Sequence, residues 1–317
     1  MSDFTTTRRS FAKGIGGTIT LAALGSTASA QTAETWTTAE TPTGNTLYDV
    51  ERTANGVYAV GAGGIVLHRT DTGWERVLDG GPTGNGNSLY GADVTDDGER
   101  LWFVGASGAI GEMDVVSQSV DDHSAPDDVT NNFNDVAVTG VAGSANAYVA
   151  GDSGKVYYSF DDGATGTWDY TTPGSGSAVN AVDFYDARSG HIVDGNKSVF
   201  ATDDGGTYDK IGLADANANF YAVDSDGADD VWIAGGGGMI HHWDGAQWTP
   251  ADTGDASLRD IEVAGDDGLA VGGGGVVYGR DSDGWNRQST PTGQNLKGVV
   301  RGGVDVAVGA GGTVIER

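Results

Sequence analysis

The chain has no cysteine, five lysines and six prolines in 317 residues, and 17 basic side chains against 45 acidic ones. Without cysteine there can be neither a disulfide framework nor a lipid-bearing thiol behind a leader. Without clustered Lys and Arg there is no basic stripe, which disfavours sequence-nonspecific nucleic-acid binding. No stretch approaches the roughly 18 consecutive apolar residues of a spanning helix, so no transmembrane segment is expected in the mature chain. His68, His123 and His191 are isolated, and the adjacent His241 and His242 would point to opposite faces of a strand. No metal site and no cofactor are expected.

The N-terminus carries Thr7-Arg-Arg-Ser-Phe-Ala-Lys13, an apolar run from Gly14 to Leu24, and Ala28-Ser29-Ala30. A charged start, a short apolar stretch and a small-x-small site make a secretory leader, and the paired arginines mark the twin-arginine class, which exports folded proteins. Residues 1–30 are therefore expected to be a signal peptide cleaved after Ala30, and the product to be extracellular or associated with the cell envelope. The remaining 287 residues (317 less 30) give 41 for each of seven repeats.

The net charge of −28 is spread along the mature chain. Such a charge opposes compaction at ordinary salt. At about 1 M salt the screening length is only about 3 Å and the repulsion largely vanishes. A hypersaline producer is the simplest account; an acidic surface for a basic partner is the alternative.

Glycine dictates the architecture. The turns Gly61-Ala-Gly-Gly64, Gly105-Ala-Ser-Gly108, Gly151-Asp-Ser-Gly154, Asp194-Gly-Asn-Lys197, Gly235-Gly-Gly-Gly238, Gly272-Gly-Gly-Gly275 and Gly309-Ala-Gly-Gly312 begin 44, 46, 43, 41, 37 and 37 residues apart. This is the period of four-stranded propeller blades. Blade 1 reads as strands over 47–51, 56–60, 65–68 and 74–77, blade 6 as 258–262, 268–271, 276–278 and 285–287. Outer strands open on Trp74, Trp168, Tyr208, Trp248 and Trp285, whereas blade 2 has the acidic run 121–128, expected to be a solvated loop. Segment 36–47 parallels 285–296, and the last blade supplies only three strands, over 296–300, 304–308 and 313–316. The strand at Trp36 should fill the vacant outer slot. The fold class is all-β, a seven-bladed propeller over residues 31–317, closed by pairing of the N-terminal strand with the last blade.

Two turns resemble the Asp-box (BNR) pattern Ser/Thr-x-Asp-x-Gly-x-Thr-Trp: Ser159 with Asp161, Gly163, Thr165 and a displaced Trp168, and Ala201 with Asp203, Gly205, Thr207 and Tyr208. Their expected role is structural, with Asp accepting backbone N–H groups and Gly taking positive φ. Together with the Leu-x-x-Val and Val-Gly-x-x-Gly strands from Trp36 to Arg317, these boxes make the chain resemble the photosystem II stability and assembly factor-like propellers, here as a haloarchaeal exported homologue. The resemblance implies a non-enzymatic exported propeller that grips other proteins.

Aligning the inner strands on Leu47, Leu89, Phe133, Val179, Phe220, Leu258 and Leu296 puts Tyr48, Tyr90, Asn134, Asn180, Tyr221, Arg259 and Lys297 in one register. Around one channel mouth they form a candidate recognition ring, or they merely fill the entrance. Three positions further on, Glu51, Asp93, Asp183, Asp224 and Glu262 would lie towards the opposite mouth, as a cation-holding set or as part of an acidic surface. Arg52 and Arg301 make a second, small basic contact site there. A non-catalytic scaffold engaging envelope or extracellular proteins is the leading reading. Glycan binding through the three tyrosines and a sialidase-like hydrolase are the alternatives, and the latter lacks a convergent arginine set, since only Arg259 falls at the mouth.

Overall fold

A computed structural model of the protein describes residues 35–213 and 216–317; the leader assigned to 1–30 lies outside them. The described residues form seven four-stranded antiparallel sheets, each running from an innermost strand at the axis to an outer one. The innermost strands are Leu47–Thr53, Leu89–Val94, Phe133–Thr139, Val179–Phe184, Phe220–Gly227, Leu258–Ala264 and Leu296–Val300 in blades 1 to 7. Strand ends differ from the sequence reading by a residue or two. The larger difference is in blade 2, where Val120–Asp122 is the outer strand and pairs with Gly111 to Met113. Charge there masked a strand, because its edge faces water and tolerates Asp121 and Asp122.

Both faces of every blade are apolar because each is covered by a neighbour, and the buried side chains fall into seven clusters, one per junction. Leu47, Leu67 and Trp74 of blade 1, for example, pack on Val306, Val308 and Val314 of blade 7. The spacing of the glycines follows from the same packing. A Cβ on Gly61 would strike the Thr46 carbonyl oxygen, and one on Gly312, at φ +73°, would strike the Thr43 carbonyl oxygen. In six blades glycine holds the first and last positions of the turn through backbone approach and positive φ, while the middle positions accept Ala, Ser or Asp; blade 4 has Asp194 and Lys197 there, with Lys197 itself at φ +61°.

The ring closes as the repeat requires. Thr37, Thr38 and Ala39 pair with Glu316, Ile315 and Val314, so the N-terminal strand is the outer strand of blade 7. Trp36 is buried, donates Nε1–H to Gln288 Oε1 at 2.7 Å, and lies under the Arg317 guanidinium at 5.2 Å. Glu316 joins blade 7 to blade 1: its two carboxylate oxygens accept Arg69 Nε and Nη2 at 3.0 Å each, and Oε1 also accepts Trp74 Nε1 at 2.8 Å. Burial pushes the Glu316 carboxyl up, but the bonds from Arg69 and Trp74 outweigh it and hold the group below its ordinary value.

A group with a depressed folded value stabilises above its unfolded value, near 4.3, and loses that stabilisation as pH falls through the folded one. Glu316→Gln should therefore lower stability by about 1 to 2 kcal/mol at neutral pH. The deficit relative to the parent should shrink as pH drops below about 4. Chemical denaturation in molar salt from pH 7 down to about 2.5 measures both; a deficit as large at the acid end as at neutral pH would refute the clamp.

Candidate functional site

The inner strands carry an irregularity at one repeated place. In every blade the ladder to the second strand slips by one residue, between Leu47 and Asp49, Leu89 and Gly91, Phe133 and Asp135, Val179 and Ala181, Phe220 and Ala222, Leu258 and Asp260, and Leu296 and Gly298. The skipped residues are Tyr48, Tyr90, Asn134, Asn180, Tyr221, Arg259 and Lys297. A bulge leaves its extra residue unpaired and re-aims the side chain. Here the preceding residue is buried in the inter-blade core in all seven cases, and the extra residue, half-buried, lines one cavity of about 80 Å³ at the channel mouth. That volume holds a few waters, far below the ~300 Å³ of an ordinary small-molecule site. The mouth is a surface to be covered, not a pocket to be filled.

The seven side chains are not equivalent. Asn134 Nδ2 donates to Val179 O at 2.9 Å and Asn180 Nδ2 to Phe220 O at 2.7 Å, so both amides tie their blade to the next one. Asn134 also donates to Asp152 Oδ1 at 2.9 Å. Tyr48 and Tyr90 meet edge to face at 5.1 Å, and the Arg259 guanidinium lies over the Tyr221 ring at 4.1 Å. Burial, and then the charge of Arg259 beside it, holds the Lys297 ammonium below its ordinary value. Burial, followed by Tyr48 and Asp152, raises the Tyr90 phenol. The cations of blades 6 and 7 thus stand across the ring from Asp152 of blade 3, and the mouth is polarised.

Beneath the mouth the acidic residues have a different task from the one expected. Asp93, Asp183, Asp224, Glu51 and Glu262 are buried. Asp93 accepts its neighbour Val94 N at 2.8 Å and Val138 N of blade 3 at 2.6 Å. Asp183 accepts Phe184 N at 2.9 Å and Ser225 N of blade 5 at 2.7 Å. Asp224 accepts Val263 N of blade 6 at 2.6 Å and Glu262 accepts Arg301 N of blade 7 at 2.6 Å. Three residues that the sequence reading missed, Asp49, Asp135 and Asp260, do the same two positions earlier, reaching Ala92, Val182 and Val299 of the next blade at 2.8 to 2.9 Å. Asp49, Asp93, Asp135, Asp183, Asp224, Asp260 and Glu262 are thus staples between blades, and among the described residues no group of three or more His, Asp and Glu could hold a metal ion. Their shared register was the available signal.

Two further readings change. Arg52 is not a contact residue: its Nε donates to Arg301 O at 3.2 Å and its Nη2 to Val304 O at 2.5 Å, closing the junction of blades 7 and 1, while Arg301 pairs with Asp267. In the Asp-box turns the bonds fall one residue later than Asp161 and Asp203. Asp162 Oδ1 accepts Ala145 N at 3.0 Å. Asp204 Oδ1 accepts Thr207 N at 2.6 Å and Gly206 N at 2.8 Å, which lowers its carboxyl to about 2. In the first box Ser159 Oγ meets Thr167, not Thr165, at 2.6 Å, and Trp168 Nε1 donates to Gly163 O at 3.0 Å. In the second, Thr202 Oγ1 accepts Gly205 N at 2.9 Å, and Tyr208 precedes the outer strand Asp209–Ile211.

No family model matches the chain, and no curated protein matches it. Solved structures do. It is similar to YCF48 bound to D1 peptide (TM-score 0.70, 14% identity, 89% of this chain and 94% of that one) and to YCF48 from Cyanidioschyzon merolae (0.70, 16%, 89% and 98%). It is also similar to a streptogramin B lyase (0.76, 13%, 89% and 97%). At these identities the likeness shows the fold, a seven-bladed propeller shared by binding proteins and by enzymes.

Asp183→Ala should destabilise the protein by about 3 kcal/mol, since it strips the acceptor from two buried N–H groups on two blades. Thermal unfolding in molar salt checks this. A loss under about 0.5 kcal/mol, typical of a surface change, would contradict the staple.

Proposed function

We propose that this protein is a non-catalytic binding propeller, exported by the twin-arginine route by a hypersaline producer, which holds an extended segment of an envelope or extracellular protein over the channel mouth. The observation that carries this reading is the row of seven bulges that turns Tyr48, Tyr90, Tyr221, Arg259 and Lys297 towards one opening. Tyr and Arg combine area with hydrogen bonding at low ordering cost, the chemistry of binding hot spots. The partner of one structural neighbour, the D1 peptide bound to YCF48, is also a peptide.

Catalysis at the mouth is disfavoured by its carboxylates. Asp49, Asp135 and Asp260, which line the cavity, each accept two backbone N–H groups. Their oxygens are committed to holding the ring together. The kinship to photosystem II assembly factor-like propellers is part of the same proposal, without the photosystem itself.

Affinity capture from the producer's envelope extract at molar salt tests the reading. The parent should retain a defined protein, and Tyr48→Ala/Tyr221→Ala/Arg259→Ala should lower its affinity at least about 100-fold. Retention of glycans in place of protein, or turnover of a glycan, would replace this function with one of its alternatives. Exposed acids such as Asp71, Glu75, Asp79, Asp127 and Asp128 repel one another at low salt. The melting temperature should therefore rise between about 0.1 and 1 M KCl; a salt-independent value would refute the hypersaline origin.

A further inference from the structure

The flank of blade 5 outruns its cover. Its outer strand, Trp248–Asp252, has five residues, whereas that of blade 4, Asp209–Ile211, has three. Leu213, Trp243 and Trp248 are in consequence only partly buried against the core of this junction. A similar mismatch between blades 7 and 1, Thr37–Ala39 against Gly73–Leu78, is capped by Glu316, which accepts Trp74 Nε1 at 2.8 Å. Trp248 Nε1 has no such partner. What remains is a cleft of about 500 Å³, within the ~300–1,000 Å³ of small-ligand sites.

Met239, His241 and Trp243 line the cleft from one strand, Trp248 and Pro250 from the next, and Leu213 and Asn217 complete the wall. From Met239 to Trp243 it runs about 13 Å. Trp243 and Trp248 are opposite one another in the ladder, with ring centroids 5.4 Å apart and planes tilted by 43°. Trp243 Nε1 donates to Ala228 O at 3.2 Å, in the turn between the first and second strands, so the tryptophans lie at the end of the blade away from the channel mouth.

The lining carries no formal charge. None of the described residues around the cleft is Asp, Glu, Lys or Arg, in a chain where 20% of residues are. Burial holds the His241 imidazole below its ordinary value, so it too is neutral at pH 7. His241 is 9% exposed, and its Nδ1 has no hydrogen-bond partner. A hydroxyl that reached this atom would satisfy either tautomer, because it both donates and accepts. No free backbone is on offer either. The strand Met239–Trp243 is paired on both sides, so an extended peptide could not add to it. Aromatic faces, the exposed Asn217 amide and a neutral imidazole suit a ligand with apolar C–H faces and uncharged hydroxyls at its rim.

We propose that this cleft binds a short neutral oligosaccharide, with sugar rings stacked on Trp243 and Trp248 and hydroxyls at Asn217 and His241. The site is separate from the channel mouth, so a glycan on the flank and a protein over the mouth can be held together, and the proposal does not depend on the peptide-holding reading.

Titration of the protein with neutral oligosaccharides of the gluco, manno, galacto and N-acetylglucosamine series in molar KCl, by calorimetry and tryptophan fluorescence, tests this. At least one should bind with Kd below about 1 mM and change the fluorescence. Trp248→Val should weaken it at least about 10-fold, whereas Trp248→Tyr, which keeps an aromatic face, should cost less than about threefold. Both side chains have precedents in this fold, Val120 opening the outer strand of blade 2 and Tyr208 preceding that of blade 4, and an unchanged melting temperature would verify the fold. Asn217 is exposed, so Asn217→Ala tests the cleft without touching the core; it should weaken binding about threefold or more. The mouth variant Tyr48→Ala/Tyr221→Ala/Arg259→Ala should bind the sugar as the parent does. Binding lost in the mouth variant but kept in Trp248→Val would move the sugar to the mouth and overturn the cleft. No saccharide bound at about 10 mM, or an uncharged proline-rich peptide bound in its place, would overturn it as well.

Discussion

The inner edge of each blade is the constraint on which the rest of the ring depends. An innermost strand has a partner on one side only, and on the other it presents N–H groups to the channel axis, where backbone donors buried away from water must find acceptors. The protein answers with carboxylates. The groups served lie at alternating positions, Ala92 and Val94 in blade 2, Val136 and Val138 in blade 3, Val182 and Phe184 in blade 4, Ile261 and Val263 in blade 6. That spacing is the two-residue pleat of a strand edge. Because the carboxylate that serves an N–H often comes from the preceding blade, one interaction satisfies the edge and fixes the neighbour's position. At the junction of blades 7 and 1 the bonding is inverted: Arg52 donates to carbonyls of blade 7, and Glu316 takes Arg69 and Trp74 from blade 1.

The acidic residues therefore belong to two populations with different physics. Exposed Asp and Glu repel one another and respond to salt. Buried ones, such as Asp183 and Glu262, are held by directed N–H bonds that screening ions reach poorly. Net charge alone merges the two, so a composition reading attributes to the surface what partly belongs to the core.

This explains what was legible in the sequence. Glycine positions that backbone contacts impose recur in six of the seven blades, blade 4 having Asp194 and Lys197 there, so blade number, blade order and closure at Trp36 could be read directly. The bulge could not, because one extra residue between Leu47 and Asp49 changes the pairing but leaves the apolar pattern of the strand intact. The register of the seven mouth residues was visible nonetheless, while the diversion of Asn134 and Asn180 to neighbouring carbonyls was not. In the Asp-boxes a doubled aspartate, Asp161-Asp162 or Asp203-Asp204, satisfies the pattern in two frames, and the geometry uses the second.

Bulge and staple are also what make the mouth suitable for recognition. A side chain on a flexible loop would lose entropy on binding, whereas Tyr48, Tyr221 and Arg259 stand on strands whose register is pinned from both sides, by the ladder to the second strand and by the carboxylates below. The rings and the guanidinium constrain each other further, at 5.1 Å for Tyr48 with Tyr90 and 4.1 Å for Arg259 over Tyr221. With the cations on blades 6 and 7 and Asp152 across the opening on blade 3, an acidic group approaching the mouth meets a favourable field on one side only. A symmetric ring would bind such a group without orienting it. The asymmetry assigns it a direction, towards Arg259 and Lys297.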